Sequence, residues 1–208
     1  MCLFVAGWLV MLPQVPAFAQ APAKLVVLGD SLSAGYNLPA AAAFPIRLQK
    51  ALTDKGIAVD IANAGVSGDT TSGGLGRLDW SVPDGTQGVI LELGANDALR
   101  GVDPKIPREA LTEIIKRLQA RGIKVLLCGM LAPPNYGKDY ADRFNAIYPD
   151  LAKQFDVPLY PFFLDGVAGD SKLNLPDGMH PTAEGVDVVV KRILPTVEAS
   201  VVSLPPKN

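Results

Sequence analysis

Leu25-Val26-Val27-Leu28-Gly29-Asp30-Ser31-Leu32-Ser33 is the stretch on which the fold of this chain turns. Its first four residues are continuously apolar. A strand with no polar alternation is buried on both faces, as in a parallel sheet covered by helices. Gly29 and Asp30 punctuate the strand end, and a serine follows directly. Outward from here, short apolar runs recur at residues 59–61, 89–93, 125–130 and 157–160. Helical stretches lie between and after them, at 44–55, 70–78, 107–120, 140–155 and 182–199. In the third of these Leu111, Ile114, Ile115 and Leu118 fall at i, i+3, i+4 and i+7, one face of a helix. Alternating strands and helices predict an α/β fold: a three-layer α/β/α, flavodoxin-like domain with five parallel strands in the order 2-1-3-4-5.

Open sheets of this kind bind ligands beyond the carboxyl ends of their strands, near the point where strand order reverses. Ser31 follows strand one, Gly65 strand two, and Gly94-Ala95-Asn96-Asp97 strand three. The only histidine, His180, stands in Asp177-Gly178-Met179-His180-Pro181, after strand five and before the last helix. Residues far apart in sequence are thereby expected at one edge. A serine hydroxyl is a weak nucleophile and needs a base; an aspartate can orient that base and stabilise its cation. Ser31, His180 and Asp177 supply those three parts. Negative charge on a carbonyl oxygen calls for fixed donors, and the candidates are the N–H groups of Ser31 and Gly65 and the side-chain amide of Asn96. Each residue alone also suits a cap or turn. It is their convergence that argues for chemistry.

Composition narrows the field further. With 208 residues, 49% hydrophobic, the chain can bury one substantial core. A net charge of −2 offers no basic footprint for nucleic acid, and one histidine rules out a multi-histidine zinc site. No Gly-x-Ser-x-Gly elbow occurs. The glycine-rich stretch from Ser67 to Gly76 lacks the Gly-Lys-Ser/Thr of a phosphate loop and reads as a mobile loop able to close over substrate. Residues 2–12 are almost wholly apolar but shorter than the roughly 20 needed to span a bilayer. They lead to Ala17-Phe18-Ala19, a small-x-small cleavage pattern. Residues 1–19 thus read as a signal peptide, Gln20 as the mature N-terminus, and 20–208 as a single periplasmic or secreted domain, although Met1-Cys2-Leu3 lacks the usual opening Lys or Arg. Cys128 would then be alone, a buried thiol without a disulfide partner. The end, from Leu204 to Asn208, reads as frayed.

The four blocks resemble those of the SGNH, or GDSL, hydrolases: Gly29-Asp30-Ser31-Leu32-Ser33, Gly65, Gly94-Ala95-Asn96-Asp97 and Asp177-Gly178-Met179-His180-Pro181. The flanks Ala34-Gly35-Tyr36, Asn63-Ala64-Gly65-Val66-Ser67-Gly68-Asp69-Thr70, Glu92-Leu93 and Pro134-Asn135-Tyr136-Gly137 look closest to the secreted bacterial thioesterase I/lysophospholipase/arylesterase branch. Ala95 departs from that branch, which often has glycine there. The resemblance implies Ser31 as nucleophile, His180 as base, Asp177 as orienter, and Ser31, Gly65 and Asn96 as the oxyanion hole. It implies ester and thioester substrates, with no metal or organic cofactor. Leu131, Pro134, Tyr136 and Phe162, in the loops after strands four and five, are expected to line an acyl or aryl groove. The partner expected is a small-molecule ester or thioester, with no nucleic acid, no stable membrane span, and a monomer or weak oligomer in solution. A carbohydrate O-acetylesterase and a non-catalytic flavodoxin-like binding module stand as alternatives.

Overall fold

The structure, a computed structural model, describes residues 21–204. The signal-peptide reading of residues 1–19, with Gln20 as the mature N-terminus, lies outside them. In chain order the strands are β1 (Ala23–Gly29), β2 (Val59–Gly65), β3 (Gly88–Glu92), β4 (Lys124–Cys128) and β5 (Leu159–Tyr160). The helices are α1 (Ser31–Ala34), α2 (Phe44–Asp54), α3 (Thr71–Gly76), α4 (Leu78–Ser81), α5 (Ala95–Leu99), α6 (Lys105–Ala120), α7 (Lys138–Asn145), α8 (Ile147–Phe155) and α9 (Ala183–Val202). The strands form one parallel sheet in the order β2-β1-β3-β4-β5. Helices α2 and α9 pack together, while α3, α6 and α8 form a second group. Burial on both faces explains the unbroken apolar runs: Val26, Val27 and Leu28 of β1 and Leu91 of β3 are all essentially inaccessible. The predicted stripe of α6, Leu111, Ile114, Ile115 and Leu118, is wholly buried. Cys128 is a buried free thiol. Among the described residues no helix is long and apolar enough to cross a membrane.

Five features differ from the sequence expectation, each for a local reason. The stretch 140–155 is not one helix but two, meeting at Ala146. Pro149 has no N–H for the Asn145 carbonyl, so a new helix begins with the proline in its first turn. Strand β2 runs on to Gly65 because Ala62–Gly65 pair with β1 although they carry no apolar run. Strand β5 shrinks to two residues after Pro158. The glycine-rich stretch is not a mobile loop: Thr70 caps α3 by accepting from Gly73 N (3.2 Å), and the helix packs on α6. At the other end Leu204 is not frayed but packs against the core.

Candidate active site

Ser31 opens α1 immediately beyond β1, with Asp30 as its N-cap accepting from Leu32 N (2.9 Å). The cap reading of this dipeptide is borne out, and the cap holds the serine at the sheet edge. Ser31 Oγ lies 2.9 Å from His180 Nε2, and His180 Nδ1 lies 2.8 Å from Asp177 Oδ2. The two oxygens of Asp177 divide the work. Oδ1 accepts the backbone N–H groups of Met179 (2.9 Å) and His180 (3.0 Å), closing the turn, and Oδ2 is left for the ring. These backbone bonds hold the Asp177 carboxyl down at about 2, so it is an anion throughout the neutral range. The Tyr36 ring lies against the imidazole, centroids 4.4 Å apart. A hydroxyl, an imidazole and a carboxylate so connected can pass the hydroxyl proton to Nε2 while the carboxylate stabilises the imidazolium.

The same edge gathers donors. Ser31 N–H sits in the first turn of a helix, where backbone donors have no intrahelical partner. Asn96, in α5, donates from Nδ2 to Asp30 Oδ2 (3.2 Å) and shares a cavity wall with Ser31 and His180. Its neighbour Asp97 is buried and accepts from Thr71 N (2.9 Å) and Thr71 Oγ1 (2.8 Å), tying α5 to α3.

Gly65 requires a correction. Its N–H is already donated to Asn63 Oδ1 (2.9 Å), and a Cβ there would run into the backbone of Ala34. Glycine is needed at this position for close packing of β2 on α1, not for approach of a substrate. Three residues on, Gly68 lies in a turn closed by Asp69 N donating to Val66 O (3.1 Å), at φ +81, a conformation that excludes most side chains. Its carbonyl accepts from Arg100 Nη2 (2.8 Å), and among the described residues nothing accepts its N–H.

A cavity of about 330 Å³ opens beside Ser31, Asn96 and His180. Leu131 and Phe162 line it as expected, along with Leu99, Met130, Leu164 and Met179. Pro134 and Tyr136 do not. The turn Pro134–Tyr136 points the tyrosine at the end of α5, where its hydroxyl donates to Leu99 O (2.8 Å), and Pro133 takes the place at the wall. A larger cavity, about 440 Å³, lies at the amino ends of β3 and β4 and holds neither Ser31 nor His180.

Sequence reasoning also passed over Glu92, Tyr36 and Arg77 as functional neighbours. A carboxylate inside Val89-Ile90-Leu91-Glu92-Leu93 was the available signal, because fully buried acids are rare without a purpose. Arg77 is 8% exposed. Its Nη2 donates to Gly29 O (2.8 Å), its Nη1 to Ala64 O (2.8 Å) and Ser81 Oγ (3.0 Å), and its Nε to Asp69 Oδ2 (2.6 Å).

Comparison with known proteins agrees with this geometry. Residues 27–188 match the GDSL-like lipase/acylhydrolase family. The arylesterase of Vibrio mimicus is 44% identical over 169 residues, 81% of this chain and 84% of that protein. The thioesterase 1/protease 1/lysophospholipase L1 of Escherichia coli strain K12 is 40% identical over 184 residues, covering 86% and 87% respectively. The crystal structure of TesA superposes with a TM-score of 0.81 at 38% identity, covering 85% of this chain and 98% of that one.

Proposed function

The chain belongs to the GDSL-like lipase/acylhydrolase family, as a carboxylic ester hydrolase of the esterase/thioesterase type, and we propose that Ser31 is its nucleophile, His180 its general base and Asp177 the group that orients the base. The observation that carries the assignment is the unbroken contact from Ser31 Oγ through the imidazole to the Asp177 carboxylate. His180 takes the hydroxyl proton as Ser31 Oγ bonds to the carbonyl carbon. The proton then passes to the departing alcohol or thiol as the C–O or C–S bond breaks, leaving an acyl-serine. Water, deprotonated by the same imidazole, releases the acid. The charge on the substrate oxygen is met by the Ser31 N–H and the Asn96 amide, with the Gly68 N–H as the third donor in place of Gly65.

The apolar cavity walls favour an acyl or aryl group over an O-acetylated sugar. A buried carboxyl at Asp30 disfavours the binding-module alternative, since it would repel a phosphate at this edge. The apolar opening and Ala17-Phe18-Ala19 support a secreted or periplasmic enzyme.

The test is hydrolysis of p-nitrophenyl esters from acetyl to palmitoyl, alongside labelling by a fluorophosphonate. Ser31→Ala and His180→Ala should stay folded and lose about 10⁴-fold or more in kcat, and Ser31→Ala should take up no label. Full activity in Ser31→Ala sinks the assignment.

A further inference from the structure

The donor of the Asn96 amide is fixed from behind by a carboxylate that itself never reaches the cavity. Asp30 is 0% exposed; its Oδ1 accepts from Leu32 N and its Oδ2 from Asn96 Nδ2 (3.2 Å). We propose that Asp30 is a positioning residue for the oxyanion hole, its ionised carboxylate dictating which end of the Asn96 amide faces the substrate. This rests on the reading of Ser31 as nucleophile given above.

The argument is one of donor and acceptor chemistry. An amide side chain can rotate by half a turn and exchange its oxygen for its NH₂ with little steric change. An ionised carboxylate only accepts, so the NH₂ group alone can face it. One N–H of that group is spent on Asp30 and the second is left for the cavity, where a carbonyl oxygen gains negative charge. The reversed rotamer would aim Oδ1 at that charge and repel it. A neutral partner at position 30 could donate as well as accept, and the preference between the two rotamers would vanish.

Glu92 explains why the charge stays on Asp30. Glu92 Oε2 accepts from Ser33 Oγ (2.6 Å) and Asp30 N (3.3 Å), directly under the Ser31 turn. Gly29 leaves the notch for it, since a Cβ there would sit 2.6 Å from Oε2. Two carboxyls this close in a dry site do not both ionise readily. Glu92 is the more deeply desolvated and is pushed well above the usual range, so it keeps its proton. Burial raises Asp30 as well, but only to about 6, because the Leu32 and Asn96 donors pull it back, so Asp30 carries the charge at neutral pH.

The experiment compares wild type, Asp30→Asn, Asp30→Ser, Asn96→Ala and Asp30→Asn/Asn96→Ala in ester hydrolysis and in inhibition by an aryl boronic acid, which forms a tetrahedral adduct on the serine. Serine keeps the N-cap of α1 but has no carboxylate, so Asp30→Ser separates capping from aiming. Both Asp30 variants should lose on the order of 10–100-fold in kcat, below the roughly 10²–10³ expected of Asn96→Ala. KM should stay within about threefold, with boronate binding weakened in parallel. The double variant should be no slower than Asn96→Ala alone, because the two residues act through one group. Rates of both Asp30 variants within about twofold of wild type, or losses that add in the double variant, overturn the proposal. If those results accompany an inactive Ser31→Ala, the nucleophile assignment stands and only the role of Asp30 fails. An active Ser31→Ala removes the premise itself.

Discussion

Glu92 is an acid embedded in an apolar strand, and its cost is readable as a dependence of stability on pH. Its Oε2 is satisfied by Ser33 and Asp30, whereas Oε1 has no partner among the described residues. Burial first, and the Asp30 charge second, push its protonation well above the unfolded value near 4.5. The folded chain therefore binds a proton that the unfolded chain has released. Stability is greatest below that value and falls as pH rises above it, by on the order of 1 kcal/mol per pH unit at most. Glutamine at position 92 supplies the same acceptor and does not titrate. Glu92→Gln should thus gain on wild type steadily from pH 5 to pH 8 in urea unfolding midpoints. A difference between the two proteins that does not change with pH would show Glu92 to be ionised in the fold. Asp30, raised to about 6 by burial, adds to the same fall in both proteins.

Among elements, α3 and α4 carry more than their length suggests. Arg77 stands between them and binds carbonyls at the ends of both β1 and β2, so one guanidinium holds together the strand ends that carry Ser31 and the Gly68 turn. An ammonium is a single point donor and cannot span Gly29 O, Ala64 O and the Asp69 carboxylate. Arg77→Lys should lose about 2–4 kcal/mol, through buried carbonyls left unpaired and a weakened ion pair, measured by chemical denaturation. A loss below about 0.5 kcal/mol would mean that water or another side chain serves those carbonyls. This clamp was not legible in the sequence. The cluster from Ser67 to Gly76 reads as loop by composition although 70–78 reads as helix by pattern; the Thr70 cap settles it locally, and the Asp97–Thr71 bonds and Arg77 fix it in the fold. The break at Ala146 was legible in Pro149, had the missing N–H been counted. Gly65 went wrong in a different way, because glycine at a strand end can answer to backbone crowding as readily as to a ligand.

At the scale of the whole molecule, strand order and the convergence of Ser31, Asn96, Asp177 and His180 were readable in the sequence, because continuously apolar strands alternating with helices leave few topologies. The cavity was not. Its walls come from loops after β4 and β5 whose direction depends on local turns, which is why Leu131 and Phe162 reach it and Tyr136 does not. Ala168 lies exposed on that wall, so a larger side chain there takes up cavity volume without disturbing the core. Ala168→Leu should lower kcat/KM for octanoyl esters about tenfold relative to acetyl esters. An unchanged ratio would place the acyl chain elsewhere. The contact that completes the site also fixes when the enzyme can first act. Asp177 and His180 are three residues apart and meet through one local turn, whereas the imidazole reaches Ser31 across 149 residues. During synthesis, Ser31 leaves the ribosome early and His180 very late. A nascent chain therefore displays Ser31 through most of translation without the imidazole that the proposed mechanism needs, and that mechanism becomes available only once the end of the chain has been made.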